Sequence, residues 1–335
     1  MTTRVGLARL LLAFATTLAP FQMSQAAEIR IAEQFSLGYL QFIIMKRDHL
    51  IEKHAKERDL KDAKVVWMRF NGPSTMNEAL LSNSADVVAG GVPGLVTLWD
   101  KTRGTAFEVK GICALSTQPF LLNTNRKDVQ TIADFSDKDR IALPSIKVSV
   151  QAVVLQMAAA KAFGEKNFAK LDPLTVSMTP PDSTIALMSG AGSITAVFSV
   201  PPFQFQQVQQ ASIHTVLSSF DVLGPHSFSV AWTTSRFRKE NPELYKAFLD
   251  AVKEATSIII ADPRAAAESW IKDTNSNLKL DFVAGLIGGK DVTWTQTPQA
   301  NLTFAKFMRQ VGSIKANPES WKDLYFSEIH DLPGN

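Results

Sequence analysis

The feature that most constrains the fold of this chain is a repeated alternation of strand-like and helix-like segments between residues 28 and 234. Residues 29–32 alternate like a strand, and Leu40, Ile43 and Ile44 follow them at helical spacing. The same succession recurs from residue 64 and again from residue 140. Because strands and helices that alternate along a chain build layered sheets, the sequence predicts an α/β fold.

Length and composition indicate how many domains to expect. The chain has 335 residues, of which 45% are hydrophobic and 20% are charged, so it is neither disordered nor fibrous. At roughly 100–200 residues per domain, this length predicts two lobes. The predicted boundaries place residues 27–119 and 228–335 in lobe 1 and residues 120–227 in lobe 2. The single cysteine, Cys113, excludes a disulfide scaffold and a cysteine-based structural zinc site.

Residues 1–26 have the pattern of a secretory signal peptide. Two arginines precede an apolar run over residues 10–20 that is too short to span a bilayer, and Ser24 and Ala26 form an A-x-A-like cleavage site. No cysteine lies near that site, so the protein is not predicted to be a lipoprotein. The formal charge is only +3, and it falls further when the two arginines are removed with the signal peptide. So small a charge argues against binding to nucleic acid. We expect a soluble, exported, periplasmic protein.

Motifs that would carry catalysis are scarce. The glycine-rich stretch at residues 189–193 follows a predicted helix and precedes a predicted strand, which is the wrong order for a phosphate-binding loop. His49 and His54 are five residues apart, so they do not share one helix face as a metal pair would. Cys113 lies inside an apolar run and is interpreted as a packing group. The sequence therefore predicts no catalytic residue, metal or cofactor, and a protein that is not an enzyme.

The loops between predicted strands and helices are rich in small, polar and aromatic residues. In open α/β sheets, ligands bind where such loops follow the carboxyl ends of strands. Each loop also presents a helix N-terminus, which favours an anion by roughly 0.3–1 kcal/mol. We expect Ser74, Ser149 and Asp182 to cap their helices, and the first two either to contact ligand as well or to act as caps only. The four loops span residues 34–39, 72–75, 90–93 and 145–151.

The order of these elements resembles the periplasmic solute-binding components of the nitrate, sulfonate (taurine) and bicarbonate class of ABC importers, near the pyrimidine-precursor binders. The resemblance covers nearly the whole chain after residue 26. No single motif decides it, and the order and spacing of several motifs carry it together. The motifs are Ile29-Arg30-Ile31, Phe70-Asn71-Gly72-Pro73, Ser82-Asn83-Ser84-Ala85-Asp86-Val87, Gly90-Gly91-Val92-Pro93, Pro181-Asp182-Ser183 and Phe198-Ser199-Val200-Pro201-Pro202-Phe203.

This resemblance implies a two-lobed periplasmic-binding-protein fold of type II, in which each lobe is a mixed sheet covered by helices and the ligand lies in a cleft between them. It implies a monomer that captures a small organic anion, sulfonate or taurine-like or nitrate, by hinge closure and delivers it to an inner-membrane ABC permease. The hinge is expected near residues 118–121 and 225–228. The expected ligand-binding residues are Gln34, Phe35, Tyr39, Gly72, Pro73, Ser74, Gly90, Gly91, Gln118, Ser145, Lys147, Ser149, Phe198, Ser199, Pro202 and His226.

Several alternatives stay open at the level of sequence. Lys147 either supplies a positive charge to the site or is simply solvated, and Gln118 and His226 either contact ligand or serve the hinge alone. The ligand is alternatively a pyrimidine or an aromatic carboxylate, and the docking partner is alternatively a sensor receptor. An enzyme on the same scaffold, similar to hydrolytic desulfinases, would need Cys113 as an exposed nucleophile in the cleft beside a base.

Overall fold

The computed structural model describes residues 27–190 and 192–335, so the predicted signal peptide at residues 1–26 lies outside the described residues. The strands are β1 (Glu28–Glu33), β2 (Lys64–Arg69), β3 (Val87–Gly90), β4 (Val109–Thr117), β5 (Leu121–Thr124), β6 (Ile141–Leu143), β7 (Thr175–Ser177), β8 (Ala196–Phe198), β9 (His214–Ser218), β10 (Ser227–Thr234) and β11 (Thr293–Trp294). They form two separate mixed sheets, which define two lobes.

Lobe 1 contains six strands in the order β11-β4-β10-β3-β1-β2. Strand β1 pairs in parallel with β2 and β3, whereas β10 runs antiparallel to β3 and β4. All four residues of β3 are buried, as are seven of the eight in β10. Burial on both faces explains why these strands are continuous apolar or small-residue runs rather than alternating ones.

Lobe 2 contains five strands in the order β7-β6-β8-β5-β9. Strand β6 pairs in parallel with β7 and β8, and β5 runs antiparallel to β8 and β9. The chain leaves the first sheet at Thr117, enters the second at Leu121, leaves it at Ser218 and returns at Ser227. The two-lobed α/β fold with two mixed sheets is therefore confirmed.

Helices cover both sheets. They are α1 (Leu40–Arg47), α2 (Leu50–Lys56), α3 (Pro73–Leu81), α4 (Val92–Thr102), α5 (Val150–Phe163), α6 (Pro180–Ser189), α7 (Phe203–Gln207), α8 (Ser219–Leu223), α9 (Ser235–Glu240), α10 (Pro242–Ala261), α11 (Pro263–Thr274), α12 (Leu280–Ile287) and α13 (Asn301–Gln310). A short 3₁₀ helix, Leu37–Tyr39, precedes α1. Among the described residues, none of these helices is long and apolar enough to cross a membrane.

Two of the three predicted helix caps are wrong. Helix α3 begins at Pro73 after Gly72, so Ser74 lies inside its first turn and does not cap it. Helix α6 begins at Pro180 and is capped by Thr179, whose hydroxyl accepts from the amide of Asp182. In both cases a proline occupies the first helical position, where its missing N–H costs nothing, and it starts the helix earlier than the polar residue behind it. The cap at Ser149 is confirmed, since its hydroxyl accepts from the amide of Ala152.

Candidate functional site

Loops from both lobes meet around one small cavity, which we call the cleft cavity. Pro73 and Gly91, at the starts of α3 and α4, line it from lobe 1. Ser149 and Pro180, at the starts of α5 and α6, line it from lobe 2. The first N–H groups of a helix have no partner inside the helix, and together they carry a partial positive charge. Four helices therefore begin at the same space, but only α3, α4 and α5 have free N–H groups there. At α6, Pro180 and Pro181 have no N–H, and the amides of Asp182 and Ser183 donate to Thr179.

Two glycines of lobe 1 allow the lobes to touch directly. A Cβ atom on Gly91 would lie 1.9 Å from Cγ2 of Val150, and one on Gly72 would lie 2.8 Å from Oγ of Ser145 and 3.0 Å from the carbonyl oxygen of Pro144. Carbon atoms normally approach no closer than about 3.5 Å, so neither position tolerates a side chain in this arrangement. The structure therefore shows the cleft closed.

Hydrogen bonds also join the lobes at the rim of the cleft cavity. The carbonyl oxygen of Pro201, in lobe 2, accepts from Oγ of Ser36 at 2.9 Å and from the backbone amide of Leu37 at 2.9 Å. The same Ser36 hydroxyl accepts from the amide of Gly38, which starts the 3₁₀ helix. One serine thus links the start of a helix in lobe 1 to the loop after β8 in lobe 2.

Aromatic side chains form one wall of the cleft cavity. Phe120 and Phe228, one from each segment that crosses between the lobes, stack at 4.4 Å between ring centroids with 9° between their planes. His226 also stacks on Phe120, at 5.7 Å between ring centroids. Phe35 and Tyr39 line the cavity from lobe 1. The crossing segments therefore pack into the wall of the cavity rather than lying apart from it.

Hydrogen bonds fix the two crossing segments to each other. Nδ1 of His226 donates to the carbonyl of Ser227 at 3.0 Å, so Nε2 accepts from Oγ of Ser219 at 2.8 Å. The backbone amide of Phe120 donates to the same Ser219 hydroxyl at 2.9 Å. Burial lowers the pKa of His226 to about 4, with the bond to Ser227 opposing it. His226 is neutral and fully buried at this junction.

Two polar side chains that line the cleft cavity have no protein partner within the described residues. Tyr39 is 5% exposed and Gln151 is 3% exposed, yet neither the phenol hydroxyl nor the side-chain amide makes a hydrogen bond to the chain. Burial, with a smaller contribution from the nearby Glu33 carboxyl group, raises the pKa of Tyr39, so this hydroxyl keeps its proton. Gln34 is only weakly engaged, since its Nε2 donates to the carbonyl of Ala89 at 3.4 Å.

The wall of the cleft cavity is uncharged. Within residues 27–190 and 192–335, none of the side chains that line it is ionisable except the phenol of Tyr39. Lys147 is exposed, has a left-handed backbone with φ 67°, and does not line the cavity. Arg69 lies nearby with its guanidinium 5.6 Å from the Phe35 ring, but it is paired with the carboxylates of Glu33 and Asp273. This exposure agrees with the alternative in which Lys147 is simply solvated.

The predicted site residues fall into three groups. Six of them line the cleft cavity: Gln34, Phe35, Tyr39, Pro73, Gly91 and Ser149. Three lie next to it: Gly72, Gly90 and Ser145. Gly72 faces Ser145 across the lobes, and Gly90 lies beside the Gln34 side chain. The remaining seven do not line it: Ser74, Gln118, Lys147, Phe198, Ser199, Pro202 and His226. Gln118, Phe198, Ser199 and His226 are buried in the fold, whereas Ser74 and Lys147 are exposed.

Lining residues that the sequence did not single out as contacts include Ser36, Phe120, Gln151 and Phe228. Gln151 belongs to a predicted site loop, and its place two residues after the Ser149 cap was the available signal. Phe120 and Phe228 belong to the predicted hinge segments, where aromatic residues next to both crossings were the signal.

Cys113 is remote from the cleft cavity. It is fully buried in β4, opposite Ala231 of β10, and burial raises the pKa of its thiol to about 12. A thiol with this pKa is not a thiolate at neutral pH, and thiolate is the nucleophilic form. In the part of the chain that the structure describes, no cluster of three or more His, Cys, Asp or Glu side chains suitable for a metal ion is found.

Comparison with known proteins places the chain in a family. The chain belongs to the NMT1-like family, whose model matches residues 23–272. No curated protein matches its sequence. Its fold is that of the periplasmic binding proteins, as solved structures of low sequence identity show.

Three of those structures illustrate the shared fold. The alkanesulfonate-binding protein SsuA from Xanthomonas axonopodis pv. citri, bound to MOPS, has 15% identity and a TM-score of 0.68, with 88% of this chain and 95% of that chain covered. The periplasmic aliphatic sulphonate binding protein SsuA from Escherichia coli has 15% identity and a TM-score of 0.66, with coverage of 90% and 93%. The periplasmic nitrate-binding protein NrtA from Synechocystis PCC 6803 has 15% identity and a TM-score of 0.65, with coverage of 91% and 84%.

Proposed function

We propose that this protein is the extracytoplasmic solute-binding component of an ABC importer. It captures a small anion of the sulfonate or nitrate class between its lobes and delivers it to a permease in the inner membrane. The observation that carries the proposal is the cleft cavity itself, which both lobes line and where four α-helices begin. A space of this kind exists only while the lobes are closed, so a solute that fills it stabilises the closed state.

The physical mechanism is a shift of population by differential binding. A ligand that contacts both lobes at once binds the closed form better than the open form, and it shifts the equilibrium by that difference in affinity. The helix N-termini that keep free N–H groups, those of α3, α4 and α5, each contribute roughly 0.3–1 kcal/mol toward an anion, and more when partly buried. The segments that pass through Phe120 and Phe228 are the proposed hinge, since the chain crosses between the sheets there.

Further features support this role. The structures with the same fold include proteins described as sulfonate-binding and nitrate-binding. The pattern in residues 1–26 supports export to the periplasm, and we propose a monomer that acts without a cofactor. The burial of Cys113 in β4 supports a binding protein over an enzyme with a cysteine nucleophile.

A thermal-shift experiment tests the proposal. Solutes that bind the folded form raise the free energy of unfolding by RT ln(1 + [L]/Kd), which is about 2.7 kcal/mol at a hundredfold excess over Kd. The midpoint temperature of unfolding rises as a result. The panel contains nitrate, methanesulfonate, taurine, a pyrimidine and an aromatic carboxylate, each against the same concentration of chloride. We expect the simple anions to raise the midpoint. If only the pyrimidine raises it, the class of ligand is wrong, and if nothing does, the role in solute binding is refuted.

A further inference from the structure

The two unpartnered side chains of the cleft cavity point to a ligand. Tyr39 approaches from lobe 1 and Gln151 from lobe 2, both are at least nine-tenths buried, and neither has a protein partner within the described residues. Buried polar groups in folded proteins nearly always have a hydrogen-bond partner. The Tyr39 hydroxyl and the Gln151 amide are not sealed in the core but open to the cavity, so whatever fills the cavity is the hydrogen-bond partner available to them.

The chemistry of the wall limits the charge of that partner. The free backbone N–H groups at the starts of α3, α4 and α5 and the Tyr39 hydroxyl are donors, and the Gln151 amide offers both a donor and an acceptor. Among the described residues that line the cavity, none is a carboxylate, so an ammonium group would be buried without an opposite charge. Burying an unpaired charge is strongly unfavourable, so the wall selects against zwitterions as well as cations.

The size of the cleft cavity limits the partner further. Its volume is about 30 Å³, whereas one water molecule needs roughly 10–15 Å³ of such space. The contacts of Gly91 with Val150 and of Gly72 with Ser145 leave no freedom to close more tightly. The space holds about two or three water molecules, so the part of the ligand that lies between the lobes is compact.

We propose that Gln151 is the specificity-determining residue of the cleft, and that the ligand is a compact monoanion that carries no ammonium group. This inference rests on the proposed function and narrows its solute class. Tyr39 is the partner residue on the opposite lobe. The ligand accepts hydrogen bonds from the Tyr39 hydroxyl, the Gln151 amide and the helix N-termini, so it bridges the lobes through neutral donors alone.

Isothermal titration calorimetry with four probes tests the ligand class. Nitrate and urea are both flat and contain four non-hydrogen atoms, but only nitrate is charged. Methanesulfonate and taurine share a sulfonate group, but only taurine carries an ammonium group. The wild-type protein is expected to bind nitrate, methanesulfonate or both, and to bind urea and taurine at least tenfold more weakly.

Variants on the first turns of α5 test the role of Gln151. Gln151→Met keeps the side-chain length and removes the amide, so it is expected to weaken anion binding by roughly tenfold to a hundredfold. Gln151→Glu places a carboxylate in the cavity and is expected to abolish anion binding at neutral pH. Gln156→Met is the matched control, because Gln156 lies on the same helix, bonds to Asp172 and does not line the cavity. It is expected to leave affinity unchanged.

A second variant keeps the test decisive if the Gln151 variants fold poorly. Tyr39→Phe retains the ring and removes only the hydroxyl, and it is expected to weaken anion binding severalfold with an unchanged unfolding midpoint. The inference is overturned if the wild type prefers taurine or urea, or if Gln151→Met and Tyr39→Phe both bind the anion as the wild type does. If the wild type binds no probe and no solute of the thermal-shift panel, the proposed function itself fails.

Discussion

The contact between Gly91 and Val150 allows lobe closure to be tested without altering a ligand contact made by a side chain. Gly91 has φ −74° and ψ 155°, a backbone conformation open to any L-residue, so Gly91→Ala introduces no backbone strain. Its new Cβ would lie 1.9 Å from Cγ2 of Val150, which belongs to the other lobe. The two atoms must separate by about 1.6–2 Å to reach an ordinary contact. The clash exists only while the lobes are closed.

The expected effect follows from the cost of overpacking. Inserting a methyl group into a packed contact typically costs about 1–3 kcal/mol, and here the closed state alone carries that cost. Because apparent affinity falls with the population of the binding-competent state, the dissociation constant should rise by about five- to 150-fold. Alanine is also a poorer helix cap than glycine, so a modest loss of folding stability is expected in addition.

The assay is titration calorimetry with the best-bound anion, combined with small-angle X-ray scattering to follow compaction on binding. Gly91→Ala with Val150→Ala is the rescue variant, because it removes the clashing Cγ2 and leaves the cap effect in place. Gly285→Ala is the control, since a Cβ at Gly285 in α12 would meet no atom within 4 Å. The reasoning is refuted if Gly91→Ala binds as tightly as the wild type, or if the double variant binds no better than the single one.

Three further outcomes are expected. Cys113, with its pKa raised to about 12, should resist alkylation by iodoacetamide in the native protein at mildly alkaline pH, and rapid labelling seen by mass spectrometry would contradict its burial. The pKa of His226 is lowered from 6.5 to about 4 in the folded protein, so the unfolded chain takes up a proton there first as the pH falls. The stability of the folded state is therefore unaffected by this group above pH 6.5 and decreases as the pH falls toward 4. His226→Gln should therefore reduce the acid-induced loss of unfolding free energy, measured in urea, by about 3 kcal/mol; an unchanged pH dependence would exclude this cause. Ser36→Ala removes one of two hydrogen bonds to the Pro201 carbonyl and should weaken solute binding about two- to twelvefold, whereas Thr131→Ala, which removes a comparable cap within lobe 2, should not.

Local patterns were sufficient to predict the fold class. Strands such as β3 are continuous apolar runs because both faces of the sheet are covered, and this signal is visible in sequence. Helix starts were less certain, because a proline and a polar residue can each mark the start. Helix α6 begins at Pro180, and Asp182, two residues later, lies inside the helix.

The cleft was predicted less completely than the fold, since which loop residues face the cavity depends on how the lobes meet. Lys147 lies in a predicted loop, but its left-handed backbone directs the loop so that its side chain is exposed. Phe120 and Phe228 lie far apart in sequence, and only the pairing of β4 with β10 brings the two crossings together. Sequence spacing carries no information about such a pairing.

The two lobes differ in how the first N–H groups of their helices are capped, and this difference affects which groups of each lobe can bind the ligand. In lobe 1 the caps of α3 and α4 are Gly72 and Gly91, which have no side chain to satisfy the first N–H groups or to lie between the lobes, although the carbonyl of Gly91 accepts from the amide of Gly94. In lobe 2 Ser149 and Thr179 use their own hydroxyls to satisfy an N–H group of α5 and α6. In addition, α6 has no free amide in its first turn, because Pro180 and Pro181 have no N–H and the amides of Asp182 and Ser183 donate to Thr179. The donors of lobe 2 must therefore come from α5 and its side chains. Gln151, buried in the cavity wall and without a protein partner among the described residues, is the side chain in the position to provide one.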